Sequence, residues 1–409
     1  MRLCLIFSHI FLFCLAFQAS VFLNNSSLSH DFDDQGDLQQ ETPQNKSDKK
    51  TSHRIIVFIH GTILPAPSLN GLRKVAAQAL TDGTNKPKIL YQSYLDGRRH
   101  KRGFYGYQPF GEKGLTHIED VYSDECSYTE ASKLLRDIFV QTKKADDSFQ
   151  ESCSCYTFGW DGRLEHENRI EWAKCLYSAL SDEVKSVQET CGADEVEVDI
   201  FAHSHGGNVA LNMAPVQQEL SGELSINRLV MLGTPVQVET EKYVLDPMFK
   251  NVYLFYSQGD MIQVSDVFST KGFSKRRFDG EAEKNKVIHV EVQIDKKNPS
   301  HSELWSYGMV GQMLYRKSLS IYPFPVVAFV PEIFKTFHQE LVPGATVCID
   351  ICRQLRYRKM IGAQEPLDII SILCLEPNSG IRKSAIISVG NIPKSNKVFL
   401  ALPPREVSS

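Results

Sequence analysis

Three side chains in the sequence have the residue types that nucleophilic catalysis needs. Ser204 lies in the stretch AHSHGG, Asp260 follows the stretch SQG, and His301 lies in NPSHSELW. A serine hydroxyl needs a base that takes its proton, and a histidine base needs a carboxylate that orients its imidazole. The chain therefore offers Ser204 as a nucleophile, His301 as its base and Asp260 as the orienting acid.

The stretch AHSHGG has the pattern of a sharp turn between a strand and a helix. It follows the apolar residues 196–201 and precedes the helix-prone run NVALNMA. Small residues two before and two after the serine, here Ala202 and Gly206, let such a turn close without clashes. The pattern also suits an ordinary helix N-cap serine, but the strand in front of it favours an exposed nucleophile at Ser204.

A second stretch, HGT at residues 60–62, offers backbone donors for the same chemistry. It ends the apolar run 54–59, and by itself it reads as a plain turn after a buried strand. If that strand faces Ser204 across the sheet edge, the N–H groups of Thr62 and His205 would form an oxyanion hole. His60 is a candidate pocket residue, and we expect it to hold this loop in place.

The elements that must position these residues are strands alternating with helices. Apolar runs without polar alternation predict strands buried on both faces. Strands are predicted at residues 54–59, 88–94, 155–159, 196–201, 228–232, 252–257 and 287–294, and helices at 68–80, 129–143 and 169–190. This order predicts an α/β fold with a mostly parallel sheet flanked by helices. The three candidate catalytic residues each follow a strand, at the edge where such sheets bind ligands.

Beyond residue 317 the pattern changes to short β-prone runs separated by Pro, Gly, Asn and Ser. The runs lie at residues 323–330, 346–353, 367–375, 384–389 and 397–402. They predict a small antiparallel, β-rich C-terminal module at 317–409, separate from the domain at 54–316.

The N-terminal region predicts export. Residues 1–23 combine an early arginine with a long apolar run, which is the layout of a signal peptide or of an uncleaved membrane anchor. Residues 24–53 are polar and charged and predict a disordered linker. We therefore expect a secreted, periplasmic or membrane-anchored protein. The eight cysteines beyond residue 23 permit disulfides, and their spacing does not complete a zinc site.

Composition limits the class of protein and the class of partner. The chain has 409 residues, of which 42% are hydrophobic and 23% are charged, with a net charge of −4. These values exclude a wholly disordered chain and a multispanning membrane protein. The slightly negative balance also argues against nucleic acid as the main partner, since phosphate binding needs a basic surface.

The motifs together resemble those of lipase-like α/β-hydrolases. The similar stretches are RIIVFIHGT, AHSHGG, RLVMLGTP and the GD after VYLFYS, within residues 54–310. The resemblance implies an α/β-hydrolase fold with Ser204 as nucleophile, His301 as base and then acid, and Asp260 as orienting acid. It implies a small-molecule or lipid ester with an apolar acyl group as substrate, and neither a cofactor nor a metal. Ala202 departs from the usual glycine, and the unusual stretch 96–125 leaves the substrate open.

Several residues are alternatives or supplements to this set. Asp266 is a second candidate carboxylate, although the placement of Asp260 directly after a strand fits better. His289 lies within a predicted strand and is expected to be packed or solvated. His203, like His205 beside Ser204, is expected to shape the pocket mouth. Trp160 is either a pocket residue or a core residue.

A basic and aromatic cluster has two interpretations. Its basic residues are Arg98, Arg99, Lys101 and Arg102. Two aromatic residues follow them, Phe104 and Tyr107, which are candidates for a pocket or a lid. The cluster is either a solvated loop anchored by its aromatic rings, or a lid that contacts anionic membrane surfaces.

Two further classes of function stay open. The same triad would serve an amidase, a thioesterase or an acyltransferase, because a fold does not determine a substrate. A non-catalytic, hydrolase-like binding protein is the alternative outside enzymes.

Overall fold

A computed structural model describes the greater part of the chain from residue 52 onward. The described residues are 52–62, 113–120, 132–133, 135–140, 152–193, 195–265, 270, 273–305, 325–356, 367–376 and 380–388. The predicted leader 1–23, the basic and aromatic cluster at 98–107, and the alternative carboxylate Asp266 lie outside them.

The centre of the fold is one ten-stranded sheet. In space the strands follow the order β2-β3-β1-β4-β5-β6-β7-β8-β9-β10. The seven consecutive strands from β3 to β8 in this order run parallel. At one edge β2 pairs antiparallel with β3, and at the other edge β9 pairs antiparallel with β8 and β10 with β9. The bounds are β1 Ser52–Ile59, β2 Gly114–His117, β3 Ser152–Gly159, β4 Glu195–His203, β5 Ile226–Leu232, β6 Phe249–Tyr256, β7 Val287–Ile294, β8 Thr346–Arg356, β9 Leu367–Glu376 and β10 Gly380–Ser388.

Helices cover both faces of this sheet. They are α1 His166–Cys191, α2 His205–Leu211, α3 Met213–Leu220, α4 Ile262–Ser265, α5 Gly280–Asn285 and α6 Val330–Phe337, and residues 135–140 are also helical. Short 3-10 turns occur at Ile118–Asp120, Glu241–Leu245, His301–Leu304 and Val326–Phe329. The mostly parallel sheet with flanking helices is an α/β architecture, as predicted.

The core consists of two apolar layers, one on each face of the sheet. Strand β1 contributes to both: Ile56 and Phe58 pack in one layer, and Ile55, Val57 and Ile59 pack in the other. Alternate residues of a strand point to opposite faces, so a strand covered on both sides must be apolar throughout. This requirement explains the unbroken apolar run that ends at the HGT stretch.

The C-terminal strands continue the same sheet. Strand β8 pairs in parallel with β7, and β9 and β10 follow it antiparallel. These strands were expected to form a separate antiparallel module. They instead extend the sheet that carries Ser204, while the boundary predicted at 316–317 lies outside the described residues.

Two stretches differ from the predicted elements. Residues 323–330 were expected to form a strand, but Val326–Phe329 is a 3-10 turn that leads into α6. Pro331 lies in the first turn of α6, where its missing N–H leaves no helix bond unmade. Strand β2 was not predicted, because its four residues give too short a pattern.

Within the described ranges, the structure has no helix that is both long and apolar enough to span a bilayer.

Candidate active site

Ser204 occupies a strained turn between β4 and α2. Its backbone angles are φ 51° and ψ −130°, in a region that residues other than glycine rarely adopt. Its N–H donates to the Leu232 carbonyl at the end of β5, at 2.9 Å. Such a conformation costs about 1–3 kcal/mol and persists only where the surroundings enforce it. The turn has the backbone form that a nucleophile between a strand and a helix requires.

Small residues allow the neighbouring elements to approach this turn. A methyl group at Gly61 would lie 2.6 Å from Ser204 Cβ, and one at Gly206 would lie 2.6 Å from the His60 carbonyl oxygen. A methyl group at Gly207 would collide with the side chain of Thr234. The HGT stretch after β1 is therefore packed directly against the Ser204 turn.

Asp260 and His301 form a hydrogen-bonded pair beside the turn. His301 Nδ1 lies 2.7 Å from Asp260 Oδ2, and the carboxylate is fully buried. Because a carboxylate only accepts, His301 carries its proton on Nδ1 and leaves Nε2 free to accept another. A methyl group at Gly233 would lie 3.0 Å from Asp260 Oδ2 and 3.1 Å from His301 Nδ1, so only glycine fits there. Gly233 directly follows the residue that binds the Ser204 N–H.

Hydrogen bonds at Asp260 and at the His301 turn hold this pair in place. The second oxygen of Asp260, Oδ1, accepts the N–H of Gln263 at 3.1 Å. His301 begins a 3-10 turn that is capped by Ser300, with a reciprocal bond from the Ser300 N–H to Glu303 Oε2 at 2.7 Å. Burial raises the pKa of Glu303, while its bonds from Ser300 oppose that shift.

His60 orients the HGT stretch through hydrogen bonds. His60 Nε2 accepts the N–H of Trp160 at 3.1 Å, so the proton of this neutral ring is on Nδ1. Nδ1 then donates to the Gly61 carbonyl at 2.7 Å. In a trans peptide the N–H points away from the carbonyl, so this bond also sets the direction of the Thr62 N–H. Trp160 is fully buried, and its Nε1–H donates to the His60 carbonyl. Trp160 therefore holds His60 in place and does not line a pocket.

The two histidines beside Ser204 are buried. His203 is 6% exposed and His205 is 4% exposed, so neither forms an exposed pocket mouth. The ring of His203 lies against His301, whereas His205 Nδ1 faces the Asn208 amide at 3.4 Å. The His205 N–H is at the first position of α2, directly after Ser204.

The described residues do not form the hydrogen bond between serine and histidine that a catalytic triad uses. Of the hydrogen bonds in the described part of the chain, none joins Ser204 Oγ to His301 Nε2. Such bonds are often long in structures without substrate and tighten when it binds.

His289 lies within β7, away from this cluster, as expected. Its Nε2 accepts the N–H of Phe278 at 3.1 Å. Phe104 and Tyr107, together with the basic residues 98–102, fall outside the described residues, so the proposed lid and membrane contact stay predictions. In the described ranges, no group of three or more His, Cys, Asp or Glu side chains is placed to hold a metal ion.

Sequence reasoning missed the supporting residues Glu303 and Trp305, and it gave His203 a different role. Glu303 could have been found, since S-x-x-E before a helical turn is the pattern of a capping box. The stacking of His203 on Trp305 joins residues that are far apart in sequence, and no local pattern indicates it.

Comparisons with known proteins give only distant likenesses. No protein-family model matches the sequence, and no curated protein matches it. An arylesterase structure is similar with a TM-score of 0.25 and 11% identity, over 56% of this chain and 80% of that one. A hyperthermophilic esterase from the archaeon Pyrobaculum calidifontis has a TM-score of 0.21 and 12% identity, over 57% of this chain and 80% of its own. The α/β architecture is therefore established by the sheet topology itself.

Proposed function

We propose that the protein is a serine hydrolase that cleaves carboxylic esters with apolar acyl groups, lipid esters among them. One observation carries the proposal: a serine in a strained strand-to-helix turn lies beside the hydrogen-bonded pair of His301 and the buried Asp260 carboxylate. Backbone strain at Ser204 and full burial of the Asp260 carboxylate both destabilise the fold, and a binding surface without catalysis needs neither of them.

The proposed reaction has two halves. Ser204 Oγ attacks the ester carbonyl while His301 Nε2 takes the hydroxyl proton, and the Asp260 carboxylate stabilises the imidazolium that forms. The carbonyl oxygen becomes an oxyanion that accepts the N–H groups of Thr62 and His205. His301 then gives its proton to the departing alcohol. Water hydrolyses the acyl-enzyme by the same steps in reverse, which restores Ser204 and releases the acid.

The proposed steps use only side chains and backbone N–H groups of this chain. His301 already has the tautomer it needs, because Asp260 accepts from Nδ1. Amidase, thioesterase and acyltransferase activities would use the same steps and differ in the leaving group or in the acceptor.

The first test is covalent labelling with a fluorophosphonate probe. We expect the wild-type protein to be labelled, Ser204→Ala to be unlabelled, and Asp260→Asn to react about 10⁴-fold more slowly because His301 loses its orienting charge. Ser186→Ala, which changes an exposed serine on α1, is the matched control and should be labelled like the wild type. A wild-type protein that takes no label would contradict the proposal and favour a binding protein.

A substrate panel then separates the leaving groups. An oxyester, a thioester and an anilide with the same acyl chain, and oxyesters of graded chain length, should show hydrolysis fastest with the oxyesters of apolar acids. A preference for the anilide at equal acyl group would assign the protein to the amidases.

A further inference from the structure

The residue in front of Ser204 makes contacts that neither the triad nor the oxyanion hole explains. His203 Nε2 lies 3.1 Å from the backbone carbonyl of His301, across 98 positions of the sequence. A carbonyl oxygen only accepts, so His203 carries its proton on Nε2 and donates it. The nucleophile turn is thereby bonded directly to the turn that carries the proposed base.

The His203 ring also has a defined place between two other rings. It stacks on Trp305 with an angle of 6° between the planes and 5.6 Å between the centroids. On His301 it lies tilted by 41°, with 4.5 Å between the centroids. Trp305 is fully buried and ends the 3-10 turn that begins at His301. The ring therefore contacts the His301 turn at both its first residue and its last.

The cost of this arrangement indicates that it is not incidental. His203 Nδ1 is buried and has no hydrogen-bond partner in the described structure. A methyl group at Gly61 would lie 3.0 Å from that nitrogen, so the oxyanion loop closes over it. An unsatisfied buried polar atom costs about 1–3 kcal/mol, and phenylalanine at this position would avoid that cost.

We propose that His203 is a positioning residue for His301. It acts through the Nε2–H bond and ring contact, which fix the height and tilt of the His301 imidazole between Asp260 and Ser204. The inference rests on the proposed function, since only a reacting His301 makes its position matter to a rate. His203 touches neither substrate nor reacting atoms, and it stays neutral because burial and the neighbouring His301 lower its pKa well below the ordinary value.

The test separates the donor from the ring with two substitutions. His203→Phe keeps a flat ring for Trp305 but removes the donor, whereas His203→Gln keeps an N–H near the position of Nε2 and removes the ring. We expect His203→Phe to react with the fluorophosphonate about 10- to 100-fold more slowly, the range for a small misplacement of a catalytic group. His203→Gln should recover more than half of that loss on a logarithmic scale. The KM for a short p-nitrophenyl ester should stay within about twofold while kcat falls, because the substrate contacts are not altered.

His289 supplies the matched control. It is a second buried histidine with one unpartnered ring nitrogen in the described structure, and it lies within β7 away from the triad. His289→Phe should lower the unfolding midpoint and leave the labelling rate of the folded protein unchanged. If it slowed labelling as much as His203→Phe does, general destabilisation would explain both variants and the positioning role would be overturned.

A spectroscopic readout keeps the inference testable apart from catalysis. The proton between His301 Nδ1 and Asp260 should give a low-field proton NMR signal that is absent from His301→Ala. We expect His203→Phe to shift or broaden this signal and His203→Gln to restore it. An identical signal in wild type and His203→Phe, or equal labelling rates in both, would overturn the positioning role. A wild-type protein with the signal but no label would instead contradict the proposed function.

Discussion

The burial of a single histidine makes the stability of this protein depend on pH. His289 is fully buried, and burial together with Arg277 lowers its pKa to about 4. In the unfolded chain a histidine titrates near its ordinary value of about 6.5. The folded state therefore binds fewer protons than the unfolded state between these two values. Its stability is complete above about 6.5 and declines as the pH falls toward 4.

The slope of the unfolding free energy against pH can be measured and attributed to His289. His289 contributes up to about 1.4 kcal/mol of unfolding free energy per pH unit within this window, which corresponds to one proton. Denaturant unfolding at pH 7, 6 and 5 should show a shallower decline in His289→Gln than in the wild type. His203 acts in the same direction, so some decline remains in the variant. Equal slopes in both proteins would contradict the prediction.

The sequence predicts the proposed catalytic residues better than the residues that support them. Ser204, Asp260 and His301 each follow a strand, and parallel strands place their carboxyl ends at one edge, so proximity follows from topology. The structure contains the predicted contact between Asp260 and His301. Contacts of His203 with Trp305 depend on how two loops fold over each other, and no periodicity encodes that.

At the scale of elements, the 3-10 turn at His301–Leu304 is the short segment on which the proposed base depends. It is held by the capping box of Ser300 and Glu303, in which Glu303 Oε2 accepts both the N–H and the hydroxyl of Ser300. A turn of four residues has little stability of its own, because a helical nucleus is costly to form. The side-chain cap therefore supplies much of its order.

Removal of this cap should affect both stability and rate. Glu303→Ala is expected to destabilise the fold by about 1 kcal/mol, the usual value of a cap. It should also slow fluorophosphonate labelling, because the turn that carries His301 is then held less firmly. Glu303→Gln should be nearly neutral, since glutamine also closes a capping box. Thermal unfolding and labelling rates measure the two effects. Equal labelling rates in wild type and Glu303→Ala would show that the turn is ordered by other contacts.

Long elements were easier to predict than short ones. The apolar run of β1 is long and bounded, so one interpretation fits it. The run at 323–330 is short and rich in valine, and such a run suits a strand as well as a helix. Packing decides the outcome here, because Val326, Val330 and Ile333 recur at helical spacing and enter one apolar layer.

The whole molecule depends on its C-terminal strands. Strand β8 covers the edge of β7, and Ile349 and Ile351 of β8 pack in the same apolar layer as Leu304 and Trp305. Loss of β8 would expose both a strand edge and an apolar face, and exposed edges promote aggregation. The site and the C-terminal strands are therefore expected to fold together.

Shortened chains test this dependence. A chain that ends after residue 324 should be insoluble or lack a cooperative unfolding transition, whereas a chain that ends after residue 388, beyond β10, should unfold like the full protein. Soluble yield and thermal unfolding are the measurements. A chain ending after residue 324 that unfolds cooperatively and takes the label would show that the C-terminal strands are an independent module after all.

The position of β1, between two strands that are made much later, has a consequence for the time course of synthesis. Its two neighbours in the described sheet are β3, whose residues come 99 positions later, and β4, whose residues come 143 positions later. At roughly 5–20 residues per second, the ribosome needs about 7–30 s to bring β4 into existence after β1. For about the first 5–20 s of that interval, before β3 is made, the apolar strand β1 has neither neighbour and is open to aggregation with other chains.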